Sequence, residues 1–267
     1  MSLLIFDLDG VVWHANTLIN NKIPSVIARL RKERHEIYFL TNNSTRSQYG
    51  YQKKLSRMGI RTELSNIICT ANAARIYLQK KIGSLKTKPV FFVVGEAPLK
   101  KEIKKLGVEF AGIDDDKKVD YVVVGVDWHF NYKKLARAMT ALLNGAKFIA
   151  TNADTTLPIK NKKARPGCGA IVAAITAASN RRPYVIGKPN PLIVRNFFGK
   201  RISKRKDVFI IGDRLDTDIV LANRIKAHPV LVLSGATMPE AAKKATGSQK
   251  PEFILKDITE IGKIFKG

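Results

Sequence analysis

Short apolar runs alternate along the chain with stretches in which apolar residues recur every three or four positions. The runs Leu3–Phe6, Glu36–Leu40, Pro89–Val94, Tyr121–Val126, Lys147–Ala150, Tyr184–Ile186, Val208–Ile211 and Val230–Leu233 read as strands. Between them, "PSVIARLRKER", "YGYQKKLSRMG", "NYKKLARAMTALLNG" and "GAIVAAITAASN" read as helices. Alternating strands and helices predict parallel sheets covered by helices, because parallel neighbours need crossover connections.

Four of these strands end alike. Leu3–Phe6 runs into Asp7; "EIYFL" runs into Thr41, Asn42, Asn43 and Ser44; "YVIG" runs into Lys188; "VFII" runs through Gly212 into Asp213. In open α/β sheets the carboxyl edge of the strands is where ligands bind, so these ends predict one assembled site. Roughly 140 residues separate the second of these strands from the third, more than one crossover needs. The fold class is therefore α/β: a Rossmann-like parallel-sheet core from residues 1–72 and 179–267, interrupted by an inserted α/β domain at 73–178.

Composition narrows the picture little. The chain has 267 residues, 45% hydrophobic and 26% charged, as expected of a globular protein. No apolar run approaches the ~20 residues that span a bilayer, and the six residues before Asp7 leave no room for a secretory core, so a cytoplasmic location is expected. Cys69 and Cys168 are far apart in sequence and read as free thiols. Lys and Arg number 47 against 22 Asp and Glu, a formal charge of +25. The cations are spread through "KKEIKK", "KNKKAR" and "GKRISKRK" without a nucleic-acid-binding motif, and a positive field would equally steer a phosphorylated substrate inward.

The polar strand ends carry specific chemistry. Asp7 and Asp9 are two apart, and two close carboxylates do not both ionise cheaply without a counter-charge. A hard cation such as Mg2+, which takes oxygen ligands and keeps places for water and phosphate, supplies one. Asp213 is the natural third carboxylate, and Asp218, five residues on, is placed to steady a ligand or a metal-bound water. Gly10 permits a tight exit after Asp9. Thr41 and its neighbours offer a hydroxyl and backbone N–H groups suited to phosphate oxygens, and Lys188, followed by Pro189 and Pro191, offers a fixed positive charge. Phosphoryl transfer needs such convergence of charge and an in-line nucleophile.

"DLDGVVW", "LTNNSTRS", "GKPNP" and "GDRLDTDI" resemble, in order, the four motifs of the haloacid dehalogenase superfamily of phosphatases. "ATNADTTLP" followed by "RPGCGAIVAAI" is similar to the class IIA branch, the NagD and p-nitrophenyl phosphatase-like enzymes. The resemblance implies a phosphoric monoester hydrolase in which Asp7 attacks phosphorus to form an aspartyl-phosphate, and Asp9 protonates the leaving group and then activates water. It implies phosphate binding by Thr41, Asn42, Asn43 and Lys188. Mg2+ would sit on Asp7, the Asp9 backbone carbonyl and Asp213, with Asp218 nearby, and the insert would be a cap. "WHAN" departs from the family pattern, in which an aromatic is often followed by Arg and Gly.

The core motifs can hold only phosphate and metal, so substrate choice is expected of the loop Thr151–Gly169, which carries Asp154, Lys160 and Arg165. Asp216 reads as a helix N-terminal charge, Trp128 as packed in the cap, and the four histidines as structural or surface, with His14 able to line the site. Gly167, Cys168 and Gly169 lack the third glycine of a dinucleotide fingerprint, and no His–Asp pair activates Cys168. The expected partner is a small phosphorylated metabolite, not a membrane or a nucleic acid, with a homodimer through the cap implied by the branch. Two alternatives stay open: phosphoryl transfer to an alcohol acceptor, and a basic nucleic-acid-binding protein on the same fold.

Overall fold

The computed structural model describes residues 1–265 except 84, 86, 159–163, 200–201, 203–204 and 206. It divides into two compact units. The first comprises Met1–Thr41, Gln48–Ile68 and Lys188–Gly267; the second comprises Asn42–Ser47 and Cys69–Gly187. Thus the second unit extends beyond the 73–178 segment at both ends and takes in the stretch that follows Thr41.

A six-stranded sheet forms the first unit, in the spatial order Phe253–Leu255, His228–Val232, Val208–Gly212, Leu3–Phe6, Glu36–Thr41, Ile67–Cys69. The pairings from Phe253–Leu255 across to Glu36–Thr41 are parallel. Leu3, Leu4, Ile5 and Phe6 are all buried, as a central strand covered on both faces requires. Each such side chain contributes about 1.5–3 kcal/mol through burial. Register fixes the site: Phe6 lies opposite Ile211 on one side and Phe39 on the other, and the Asp7 N–H bonds the Ile211 carbonyl at 2.8 Å. Asp7, Thr41 and Asp213 therefore leave three adjacent strands at the same edge.

A five-stranded parallel sheet forms the second unit, in the order Tyr184–Val185, Lys147–Ala150, Tyr121–Val124, Val90–Val94, Glu109–Phe110. Its core packs Val122, Val124, Phe92 and Phe148 against Ala138 and Leu142 of the helix Tyr132–Leu143 and Ile171 and Ile175 of the helix Cys168–Ser179. Asn131 caps the former helix, its side chain accepting from the Lys134 N–H.

The structure corrects several local readings. The polar stretch 154–167 is not wholly loop: Thr156–Pro158 and Ala164–Pro166 pair as an antiparallel ribbon, and Lys160 lies outside the described residues. Trp128 does not pack into the second unit's core; it is 46% exposed. Asp216 does lie in the first turn of the helical segment Leu215–Ile219, as expected of a helix N-terminal charge, and its neighbour Arg214 holds it as well, Nε and Nη2 donating at 3.0 and 2.7 Å. Its carboxyl is held below the ordinary range because that pairing outweighs burial.

Candidate active site

The first unit gathers three carboxylates. One oxygen each from Asp7, Asp213 and Asp218 lies within 4.8 Å of the others, and all three residues are buried. Asp7 follows the central strand, Asp213 follows Val208–Gly212, and Asp218 sits in the π-helical turn Leu215–Ile219. That wider turn faces Asp218 back toward the sheet, its carboxylate accepting from the Arg214 N–H at 3.3 Å.

Two glycines make room for the cluster. A Cβ at Gly10 would stand 2.3 Å from Asp213 Oδ2, and one at Gly235 would stand 2.0 Å from it. Gly10 also has a φ of +83°, a region side chains disfavour. The approach lets the Ala236 N–H donate to Asp213 Oδ2 at 2.7 Å.

Lys188 meets the cluster directly. Its Nζ lies 2.9 Å from Asp7 Oδ1 and 2.7 Å from Asp218 Oδ1, in a side chain only 3% exposed. Burial alone would lower its proton affinity, but Asp218 and Asp7 outweigh burial and hold the ammonium above its ordinary value. Asp7 is raised well above the usual carboxylate range by burial and by Asp218 and Asp213, against the pull of Lys188. Burial, with Asp218 beside it, pushes Asp213 up to about 7.

The residues fit a divalent cation. Once ionised, the three carboxylates exceed the single ammonium by two negative charges. Asp213 Oδ1 is buried without a hydrogen-bond partner, the condition that buried polar atoms rarely tolerate. An all-oxygen donor set of this size suits Mg2+.

Asp9 stands apart from this cluster: its carboxylate accepts the indole N–H of Trp13 at 2.8 Å. The strand ends at Phe6, so the period-2 alternation that would align Asp7 and Asp9 does not extend to them. Thr41 is buried at its strand end. Asn43 Oδ1 accepts from the Thr45 N–H and hydroxyl at 2.9 and 2.8 Å, fixing the turn after the strand. Asn42 belongs to the second unit, where its amide donates to Asp154 Oδ2 at 3.0 Å and its carbonyl accepts from Thr70 and Asn152. Arg165 lies with its guanidinium 5.7 Å from the Trp128 ring centroid, on a cavity of about 330 Å3 in the same unit.

Sequence reasoning did not connect Trp13 to Asp9; the i, i+4 spacing in "DGVVW" was the available signal. His14 is exposed, with Nε2 2.7 Å from the Ser234 carbonyl. No histidine joins a metal-ligand cluster among the described residues. Both cysteines are free and buried, and burial pushes each thiol up to about 11, far from a thiolate nucleophile.

Comparison with known proteins identifies relatives of the chain. A family model described as haloacid dehalogenase-like hydrolase matches residues 4–109, and a second, HAD-hydrolase-like, matches residues 185–261. The chain is 32% identical to phosphoglycolate phosphatase 1A of Arabidopsis thaliana over 274 residues, covering 96% of this chain and 75% of that protein. A hypothetical protein from Pyrococcus horikoshii superposes with a TM-score of 0.88 at 36% identity, with all of both chains covered. A glycerol phosphate phosphatase from Mycobacterium tuberculosis, solved in complex with magnesium, superposes with a TM-score of 0.84 at 29% identity, covering 97% of this chain and 75% of that one. The chain belongs to the haloacid dehalogenase-like hydrolases, in the class IIA phosphatase branch. No helix among the described residues is long and apolar enough to cross a membrane.

Proposed function

We propose that this phosphatase hydrolyses small phosphate monoesters through a phosphorylated Asp7, with Mg2+ as its cofactor. The observation that carries the reading is the buried trio Asp7, Asp213 and Asp218 around a single Lys188. Mg2+, when bound, would neutralise charge on the phosphoryl oxygens. Asp7, Asp213 and the Asp9 backbone carbonyl would hold it, with Asp218 beside them. Asp7 attacks phosphorus in line, and Lys188 holds a phosphoryl oxygen while balancing the carboxylates. Thr41, with Asn42 and Asn43, completes the phosphate grip. Asp9 gives its proton to the departing oxygen, then takes one from the water that hydrolyses the aspartyl-phosphate.

The relatives named above act, by their names, on phosphoglycolate and glycerol phosphate, which supports a short, polar leaving group here. Asp154 and Arg165 are the proposed selectors of that group; Asp154 is bonded to Asn42, the residue next to Thr41. A homodimer through the second unit is supported by exposed Trp128, Tyr132 and Leu143, and light scattering would measure it. We place the enzyme in the cytoplasm, acting on a small metabolite and not on nucleic acid.

The test is p-nitrophenyl phosphate hydrolysis in Mg2+ and in excess EDTA, followed by a panel of phosphorylated metabolites ranked by kcat/KM. Turnover in Mg2+ that chelation abolishes is expected; full activity in EDTA would remove the metal from the mechanism.

A further inference from the structure

Asp9 does not hang free at the end of its loop. The indole Nε1 of Trp13 donates to Asp9 Oδ1 at 2.8 Å, and Trp13 is fully buried. Backbone bonds fix the same loop: the Gly10 N–H bonds the Trp13 carbonyl at 2.8 Å, and the Trp13 N–H bonds the Leu8 carbonyl at 3.2 Å. The ring itself is held on its faces. Tyr51 stacks on it with 8° between planes and 6.4 Å between centroids, and Lys54 Nζ lies 3.8 Å from its centroid. Lys54 also bonds the carbonyl of Ala15, a turn residue with φ of 51°. Tyr51 and Lys54 come from the helix Gln48–Arg57, so a separate element braces the indole.

This arrangement has a chemical consequence. A carboxyl group that gives a proton has two oxygens, and only one carries the proton. An N–H donor on Oδ1 reserves that oxygen as acceptor, which leaves Oδ2 to carry and deliver the proton. A cation over the indole face is attracted to the ring and restrains it. We propose that Trp13 is a positioning residue for the acid–base step: its indole N–H claims Asp9 Oδ1 and directs the proton on Oδ2 toward the leaving oxygen, with Lys54 and Tyr51 locking the ring. The inference rests on the assignment of Asp9 as the acid–base group. In the step it serves, the bond from phosphorus to the ester oxygen breaks, the bond from Asp7 to phosphorus forms, and the Asp9 proton passes to the departing oxygen.

The test uses two esters of nearly one shape, phenyl phosphate and p-nitrophenyl phosphate. Phenoxide leaves poorly without a proton, whereas p-nitrophenoxide leaves well without one. Because kcat/KM reports only steps up to departure of the leaving group, it isolates this proton transfer from the later hydrolysis. Positioned acid–base groups contribute about 10^2–10^4-fold, and misdirecting rather than removing one forfeits part of that. Trp13→Phe, which keeps an aromatic ring and loses the N–H, is expected to lower kcat/KM about tenfold or more on phenyl phosphate. On p-nitrophenyl phosphate the expected loss is under about threefold. Lys54→Met leaves the indole in place and is expected to widen the same ratio in the same direction by a smaller factor; it carries the test if Trp13→Phe does not fold. Equal losses on both esters, or no loss on either, would overturn the inference while leaving the phosphatase reading intact. If Asp9→Asn leaves both rates at the wild-type level, or the wild type cleaves neither ester, the reading itself fails and takes this inference with it.

Discussion

Lys188 places its ammonium between two carboxylates, 2.9 Å from Asp7 and 2.7 Å from Asp218. One cation thus serves two acids that would otherwise repel each other in a buried pocket. Removing one partner from a buried ionic group costs about 3–5 kcal/mol, because the other charges stay buried and uncompensated. Lys188→Met is therefore expected to lower the melting temperature of the metal-free protein by on the order of 10 °C. It should also abolish most turnover. A metal-free melting curve unchanged from the wild type would show that Lys188 does not balance the cluster.

Asp213 gives the site a pH dependence. Its carboxyl is raised to about 7 in the folded protein, against an ordinary value of 3.8, chiefly by burial. A raised acid favours folding while it is protonated. That contribution is complete below the unfolded value and is lost as pH rises through about 7. Asp7 is raised too and acts in the same direction. The metal-free protein should thus melt lower at about pH 8 than at about pH 5.5. Mg2+ needs the ionised carboxylates, so it should raise the melting temperature more at the higher pH. Differential scanning calorimetry with and without Mg2+ at both pH values checks the sign, and an Mg2+ effect larger at the lower pH would contradict it.

Gly10 and Gly235 leave room for the Asp213 carboxylate by carrying no Cβ, and beside Gly235 the Ala236 N–H donates to it at 2.7 Å. Gly10→Ala or Gly235→Ala pushes a methyl group into Asp213 Oδ2. Disturbing the groups that orient a metal ligand typically costs about 10- to 100-fold in affinity. Titration calorimetry with Mg2+ should record a loss of that order. Unchanged affinity in both variants would mean that Asp213 does not hold the ion.

Asp154 and Arg165, the proposed selectors, are expected to matter more for a polar leaving group than for p-nitrophenol. Asp154 bonds the amide of Asn42 at 3.0 Å, and the Arg165 guanidinium lies 5.7 Å from the Trp128 ring centroid. Losing a charge-assisted hydrogen bond costs about 1.5–3 kcal/mol, roughly 10- to 150-fold. Asp154→Ala or Arg165→Ala should cut kcat/KM by that order on glycerol phosphate or phosphoglycolate and much less on p-nitrophenyl phosphate. Equal losses on both classes of ester would take the selector role from the residue substituted.

The parallel core and three of the four polar strand ends were readable because a buried central strand leaves a contiguous apolar run; the strand before Lys188, Tyr184–Val185, belongs instead to the second unit's sheet. Leu3–Phe6 and Val208–Gly212 each announce themselves this way, and the residue where the run stops is the one that reaches the site. The helix Thr70–Ile82 was not readable. Its first turns are small residues, Thr70 to Ala74, buried on every side, so no apolar stripe stands out against a polar face. The strands Ile67–Cys69 and Phe253–Leu255 are three residues long, too short to show a period. Spacing placed Asp218 beside Asp7 and Asp213 but not the π-helical turn that holds it there, and it could not reveal that Asp9 turns to Trp13, which depends on a loop closed by Gly10.

The central claim is that Asp7 is the nucleophile, and the most direct measurement is the turnover of Asp7→Asn on p-nitrophenyl phosphate in saturating Mg2+. The substitution keeps the side-chain volume and removes the attacking charge. A variant that folds, by circular dichroism and melting, with turnover below detection is the predicted result. A folded variant that keeps more than roughly a few per cent of wild-type turnover would contradict it, since loss of a covalent nucleophile removes the pathway rather than slowing it.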